Sequence, residues 1–264
     1  MSATPGEVQV PVQQRVSPAA GQPAGRLRRP DRSQQRPVAE LRAVALAGAR
    51  RFAAAPADEV LDWAVEEFGM KLAVACSMAE AVLPHLVSAR LPGVEVVFLD
   101  TGYHFDETLA TRDEVVRRLP VTVVNLEPRR TVAEQDAEFG EALHSWDPVQ
   151  CCEMRKVLPL RAGLAGYEAW ASGLRREDSP ARAATPIVEW DRRNAMVKIN
   201  PIAAWTSADL DAYVAAHQVP VNPLLAQGYP SIGCAPCTAR VGAGDDARAG
   251  RWKGFDKNEC GIHI

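Results

Sequence analysis

From Leu72 onward, short β-branched and aliphatic runs alternate with stretches of helical periodicity, and this alternation limits the possible folds more than any other feature of the chain. The runs are Leu72–Ala75, Val94–Leu99 and Val121–Asn125, and helices are expected over about Ala79–Arg90, Asp106–Arg118 and Val132–Gly140. Strands separated by helix-length crossovers pair in parallel rather than as hairpins. The expected fold class is therefore α/β: a doubly wound, mainly parallel sheet with flanking helices. Further strands are expected at Tyr167–Ala171, Ile187–Trp190 and Met196–Ile199, then a helix within Pro201–Gln218 capped by Thr206 or Ser207. Ahead of the first strand, Val38–Ala55 and Asp58–Phe68 carry apolar residues at helical spacing.

With 264 residues, 47% of them hydrophobic, the chain can bury an ordinary α/β core. Residues 1–37 are rich in Pro, Gln, Gly, Ala and Arg without periodic aliphatics, so a disordered tail is expected there. Residues 38–240 form the expected globular domain, and 241–264, rich in Gly, Asp and Arg, a mobile C-terminal tail. A net charge of -3 argues against a nucleic-acid coat or a membrane-surface protein. No apolar run of membrane-spanning length and no signal-peptide pattern occurs, so the expected location is cytoplasmic. In that reducing compartment six cysteines point to metal binding or thiol chemistry rather than to disulfides.

The cysteines fall into three groups. Cys151 and Cys152 are adjacent, and Cys234 and Cys237 form a Cys-x-x-Cys pair between Gly233 and Thr238. Vicinal cysteines close a strained disulfide, whereas a metal centre lets both thiolates curl around one point. Four thiolates suit an iron–sulfur cluster; zinc or a redox turn also accommodates a Cys-x-x-Cys, although a vicinal pair is an odd zinc knuckle. Cys76, at the end of an apolar run, fits a packed free thiol. Cys260 lies in Glu259-Cys260-Gly261-Ile262-His263, with Lys257 and His263 as cationic neighbours that would favour a reactive thiolate.

Parallel α/β sheets bind ligands where strand C-termini meet helix N-termini. Two such junctions carry suitable groups: Ala75 to Glu80, with the Ser77 hydroxyl, and Phe98 to His104, with Asp100-Thr101-Gly102. Arg175, Arg176, Arg182, Arg240, Arg248, Arg251, Lys253 and Lys257 supply cations for phosphate or sulfate oxygens.

These motifs together resemble the assimilatory adenylyl-sulfate reductases of the bacterial iron–sulfur type. The resemblance runs from about Leu61 to the end and rests on six segments: Leu99–Gly102, Cys151–Leu160, Ser172–Arg176, Gly233–Thr238, Arg248–Trp252 and Glu259–His263. It implies an adenine nucleotide alpha hydrolase-like fold and the thioredoxin-dependent reduction of adenosine 5′-phosphosulfate to sulfite and AMP. By the same resemblance, Cys260 attacks sulfur and becomes an S-sulfocysteine, with Lys156 and His263 assisting. Cys151, Cys152, Cys234 and Cys237 would ligate a [4Fe–4S] cluster. Ser77, Leu99, Asp100, Gly102, Arg175, Arg248 and Arg251 would hold the substrate, and a homo-oligomer is compatible with the family.

Three departures stand out. The segment Cys76-Ser77-Met78-Ala79-Glu80-Ala81 lacks the glycine many members keep, Tyr103 follows Asp-Thr-Gly where Arg is common, and Ile262 replaces Leu. Competing readings are a reductase of the 3′-phosphorylated substrate, whose specialists usually lack the four cluster cysteines, and a non-catalytic nucleotide-binding metal-cluster regulator, which has no need of Cys260. A tRNA-thiolating enzyme would want the glycine-rich pyrophosphate loop absent here.

Overall fold

A computed structural model of the chain describes residues 35–242, 244–257 and 259–263. Six strands form one sheet: β1 Leu72–Ala75, β2 Val94–Leu99, β3 Val121–Leu126, β4 Ala169–Ser172, β5 Val188–Asp191 and β6 Met196–Ile199. Their order is β3-β2-β1-β4-β6-β5. All neighbours are parallel except β5 and β6, whose hairpin closes one edge.

Alternate residues of the strands face two cores. Leu72, Val74, Val94, Val96 and Phe98 pack on one side, against α1 (Val38–Arg51), α2 (Ala57–Phe68), α3 (Val82–Ser88), α4 (Asp106–Arg118) and α8 (Ser207–His217). Ala73, Val97, Val124, Leu126 and Trp170 face the other side, which Leu160 and Leu164 cover from the α7 region (Leu158–Gly163) and Ile262 from the chain end. With both faces covered, the central strands β1 and β4 are almost wholly apolar, whereas the outer strands β3 and β5 carry polar residues. The helix α5 (Val132–Phe139) starts in a capping box made by Thr131 and Glu134, and Thr206 with Asp209 caps α8 in the same way.

The order reverses between β1 and β4. The chain builds outward from β1 to β3, returns, and grows the other way from β4. Adjacent crossovers part at such a point and leave a crevice at the carboxyl ends of the strands.

Three expectations need adjustment. Helix α3 is confined to Val82–Ser88, because Cys76–Ala81 forms an irregular loop in which Met78 takes φ 60. The missing glycine therefore does not remove the left-handed conformation; a fully buried Met78 adopts it. Asn222 Nδ2 donates to the Met78 carbonyl at 3.3 Å and helps to hold it. Second, the end of the expected N-terminal tail is docked: Gln35 Nε2 donates to the Tyr167 carbonyl at 2.5 Å, and Arg36 pairs with Glu67 and, at 2.7 Å, with Glu168. Residues 1–34 lie outside the described residues. Third, parts of 241–264 pack into the body, with Trp252 buried and Ile262 against the second core, while 244–247 and 253–256 are exposed.

Candidate active site

A cleft of about 410 Å³ opens at the topological switch point. Its walls come from the loops after β1 (Cys76, Ser77, Glu80), β2 (Thr101, His104) and β4 (Arg175, Asp178, Arg182), and from the chain end (Arg248, Arg251, Cys260, His263). Ser77, Leu99, Arg175, Arg248, Arg251, Lys156, Cys260 and His263 all line it. Asp100 and Gly102 do not. The Asp100 carboxylate accepts the Gly102 N–H at 3.1 Å, so the pair shapes the turn that presents Thr101.

Behind this cleft lies a second cavity lined by Cys151, Cys152, Cys234 and Cys237, together with Tyr103, His144, Arg155 and Lys156. Only Lys156 and Cys234 belong to both walls, so they separate the two spaces. The vicinal cysteines end the short helix α6 (Pro148–Cys152), which Asp147 caps through the Gln150 N–H. A π-helical turn, Glu153–Val157, follows and leads into α7. Its extra residue rotates the chain within one turn. Arg155 and Lys156 are consequently buried while Glu153 stays in solvent.

Burial pushes the Cys151 thiol up to about 12, reinforced by Cys234, Cys152 and Cys237. Burial and then Cys234 carry Cys237 to about 11, and burial also raises Cys152. These mutual repulsions mark four sulfurs facing one space. At Cys234 burial is outweighed by Lys156, by the Thr101 hydroxyl 3.3 Å from Sγ and by Arg251, so this thiol falls below its usual value. Burial disfavours the Lys156 ammonium, but Cys234, Cys260 and Cys152 outweigh it and raise its pKa. Among the described residues, no three His, Cys, Asp or Glu side chains are grouped as around one bound metal ion.

Cys260 is half-buried in the cleft wall rather than exposed. The preceding Glu259 is held by Arg182 at 2.7 and 2.9 Å and by Arg248 at 3.2 Å, which outweigh burial and hold its carboxyl below the usual range. His263 stacks on Trp170 at 5.8 Å and 11°. Burial first, and then Lys198, Arg182 and Arg248, push its pKa well down, so it is a neutral imidazole and not the cationic neighbour expected from its position. Lys257 lies over the Trp252 ring at 5.4 Å. Cys76 also reaches the cleft wall, but burial holds its thiol up at about 12, an unreactive protonated form.

Sequence reasoning assigned no role to several groups. Arg155 donates to the Thr101 carbonyl at 2.5 Å and to Gln135 at 3.0 Å, tying the cysteine helix to the β2 and α5 loops. Its position three residues after the cysteine pair was the only signal in the sequence. His104 and Glu80 line the cleft and are held towards their neutral forms, chiefly by burial. Arg176 and Arg240 serve elsewhere: the first donates to the Thr185 carbonyl, and the second lies over Tyr229.

Residues 70–240 match the model of the phosphoadenosine phosphosulfate reductase domain. The chain belongs to the phosphoadenosine phosphosulfate reductase family. A relative from Streptomyces coelicolor, named adenosine 5′-phosphosulfate reductase, is 56% identical over 87% of this chain and 98% of its own length. Another of the same name, from Mycolicibacterium smegmatis, is 52% identical over 85% of this chain and 95% of its own. A crystal structure of phosphoadenylyl-sulfate reductase from Candida auris, a phosphate complex, superimposes with a TM-score of 0.62 at 25% identity, covering 75% of this chain and 96% of that one. The family match covers the sheet, the cysteine helix and the Cys-x-x-Cys loop; Cys260 lies beyond it.

Proposed function

We propose that the protein reduces adenosine 5′-phosphosulfate to sulfite and AMP with electrons from thioredoxin, in the cytoplasmic assimilation of sulfate. The observation that carries the reading is the position of the Cys260 thiol: it lines the same cleft as Arg175, Arg248, Arg251 and Lys156. A nucleophile facing fixed cations suits a substrate whose reacting sulfur carries anionic oxygens. The names of the two relatives above point to the same substrate.

In this reading the Cys260 thiolate forms a bond to sulfur as the sulfur–oxygen bond to the phosphate breaks. AMP departs with that electron pair, and the enzyme holds Cys–S–SO₃⁻. A dithiol reductant then attacks the Cys260 sulfur, sulfite leaves with the bonding pair, and the reductant ends as a disulfide. Arginines positioned by their own loops stabilise charge on the sulfate and phosphate oxygens, and His263, stacked on Trp170, completes the cleft wall as a neutral group beside Cys260. Lys156 faces both the cleft and the cysteine cavity, so its charge is felt on either side.

The four cavity cysteines fit a [4Fe–4S] cluster, because four thiols, three of them buried and the fourth half-buried, repel one another and share one lining. Bound there, it would supply fixed charge and a cross-link between the α6 helix and the Cys-x-x-Cys loop, without passing electrons. Ser77 and the backbone after β1 fit the phosphate end, and Leu99 the adenosine side.

The test is anaerobic turnover with adenosine 5′-phosphosulfate, thioredoxin and a reductant. Sulfite should form, Cys260→Ser should abolish it while keeping iron and sulfide content, and the 3′-phosphorylated nucleotide should be the poorer substrate. Absence of sulfite from iron-replete protein sinks the reading.

A further inference from the structure

Trp252 is buried at 3% exposure and has no part in the chemistry described so far. Four cations surround its ring: Arg251 at 4.5 Å, Lys257 at 5.4 Å, Arg248 at 5.9 Å and Lys156 at 6.0 Å from the centroid. An aromatic face attracts a cation within about 6 Å through its quadrupole, and more strongly where water is excluded. The four come from two distant stretches of chain, the π-helical turn and residues 248–257.

The protein keeps this tryptophan at a cost. Its φ of 46 is in the left-handed region, where a bulky side chain is strained. Its indole N–H is buried without a partner among the described residues. The surrounding chain fixes the conformation: the Trp252 backbone N–H donates to the Cys237 carbonyl at 3.1 Å, the Ala239 backbone N–H donates to the Gly250 carbonyl at 2.8 Å, and Thr238 pairs with Arg251 as an antiparallel bridge. The loop carrying the Cys-x-x-Cys pair thus places the ring.

We propose that Trp252 is a positioning residue whose indole gathers Lys156, Arg248, Arg251 and Lys257 into one cationic group, and that this group gives the cleft its preference for an anionic nucleotide over the neutral nucleoside. Like charges this close repel each other, and a shared aromatic face offsets that repulsion without adding an anion; Arg248 also meets the Glu259 carboxylate, at 3.2 Å. Lys156, Arg248 and Arg251 line the cleft beside Trp252, so the gathered charge faces the ligand. The inference rests on the cleft being an adenosine 5′-phosphosulfate site.

The test compares dissociation constants for adenosine 5′-phosphosulfate and for adenosine in iron-replete full-length protein carrying Cys260→Ser, so that the bound nucleotide is not consumed, with Trp252 intact or replaced. Trp252→Leu should weaken the charged nucleotide about tenfold and change adenosine less than twofold. Trp252→Phe, which keeps a smaller aromatic face, should lose about threefold on the charged nucleotide alone. The proposal is overturned if Trp252→Leu keeps the ratio of the two constants found with Trp252 intact, or if Phe loses as much as Leu. Should the Leu variant fail to fold, an unchanged ratio in Trp252→Phe overturns it. Sulfite production by the wild type is measured separately: nucleotide binding without sulfite sinks the reductase reading and leaves the role of Trp252 standing.

Discussion

At Gly233 the absence of a single methyl group decides where Arg251 points. A Cβ there would lie 2.1 Å from an Arg251 guanidinium nitrogen, so alanine must push that flexible end away from the cleft. Gly233→Ala is expected to raise the KM for the anionic nucleotide about tenfold, about 1.4 kcal/mol, with little change in melting temperature. Gly250 differs, because its Cβ would lie 2.1 Å from the Ala239 carbonyl oxygen, and backbone cannot step aside. A thermal melt beside the kinetics checks the contrast: a large loss of stability in Gly233→Ala would refute it. The spacing of Cys151, Cys152, Cys234 and Cys237 marked them as a group in the sequence, and all four line one cavity. Residue roles were not legible where the backbone carries the requirement. Met78 holds a left-handed loop without the glycine that would have announced it, and Asp100 closes a turn although its letter reads equally well as a ligand contact.

Among the elements, β1, β2 and β6 were legible to their end residues, because largely buried strands are apolar runs, broken only by Glu95 in β2 and Lys198 in β6, between polar breaks. Strand β4 begins two residues later than its pattern, since Tyr167 and Glu168 are committed elsewhere. Glu168 is 1% exposed and neutralised by Arg36 and Lys71, a long-range pairing that no local pattern reveals. The π-helical turn Glu153–Val157 was also invisible, because one wide turn leaves no periodic signature over five residues. Its function can be tested by removing the extra residue. Deleting exposed Glu153 should restore α-helical winding and rotate Lys156 by about 100° relative to Cys151 and Cys152. Helical content by circular dichroism should persist, while turnover falls by at least about a hundredfold and iron content drops. Retention of both activity and iron would show that the wide turn is incidental.

For the molecule as a whole, the decisive contact is the one between the chain end and the cleft. In the proposed mechanism, chemistry on Cys260 needs it inside, whereas reduction of an S-sulfocysteine by another protein needs it outside. The docked end is held by Glu259 between Arg182 and Arg248, by Arg193 donating to the Gly261 carbonyl, by Ile262 on the second core and by His263 on Trp170. A bidentate, largely buried ion pair contributes about 1.5–3 kcal/mol, and its loss shifts an open–closed equilibrium roughly ten- to a hundredfold. Arg182→Ala should therefore speed protease cleavage at Lys253 and Lys257 by at least about tenfold at fixed pH, and moderate salt should speed the wild type in the same direction. Acid should open the end as well. His263 has a depressed pKa when docked, so below about pH 6.5 the released imidazole takes up a proton that the docked one, facing Lys198, Arg182 and Arg248, does not. Docking stability is then complete above that pH and is lost as pH falls. Glu259, whose carboxyl is held low by the arginines, adds a loss of the same sign at more acidic pH. His263→Phe keeps a ring on Trp170 without the titration, so the cleavage rate of wild type relative to this variant should rise between pH 7.5 and 5.5. A flat ratio would mean that His263 does not couple the position of the chain end to protonation.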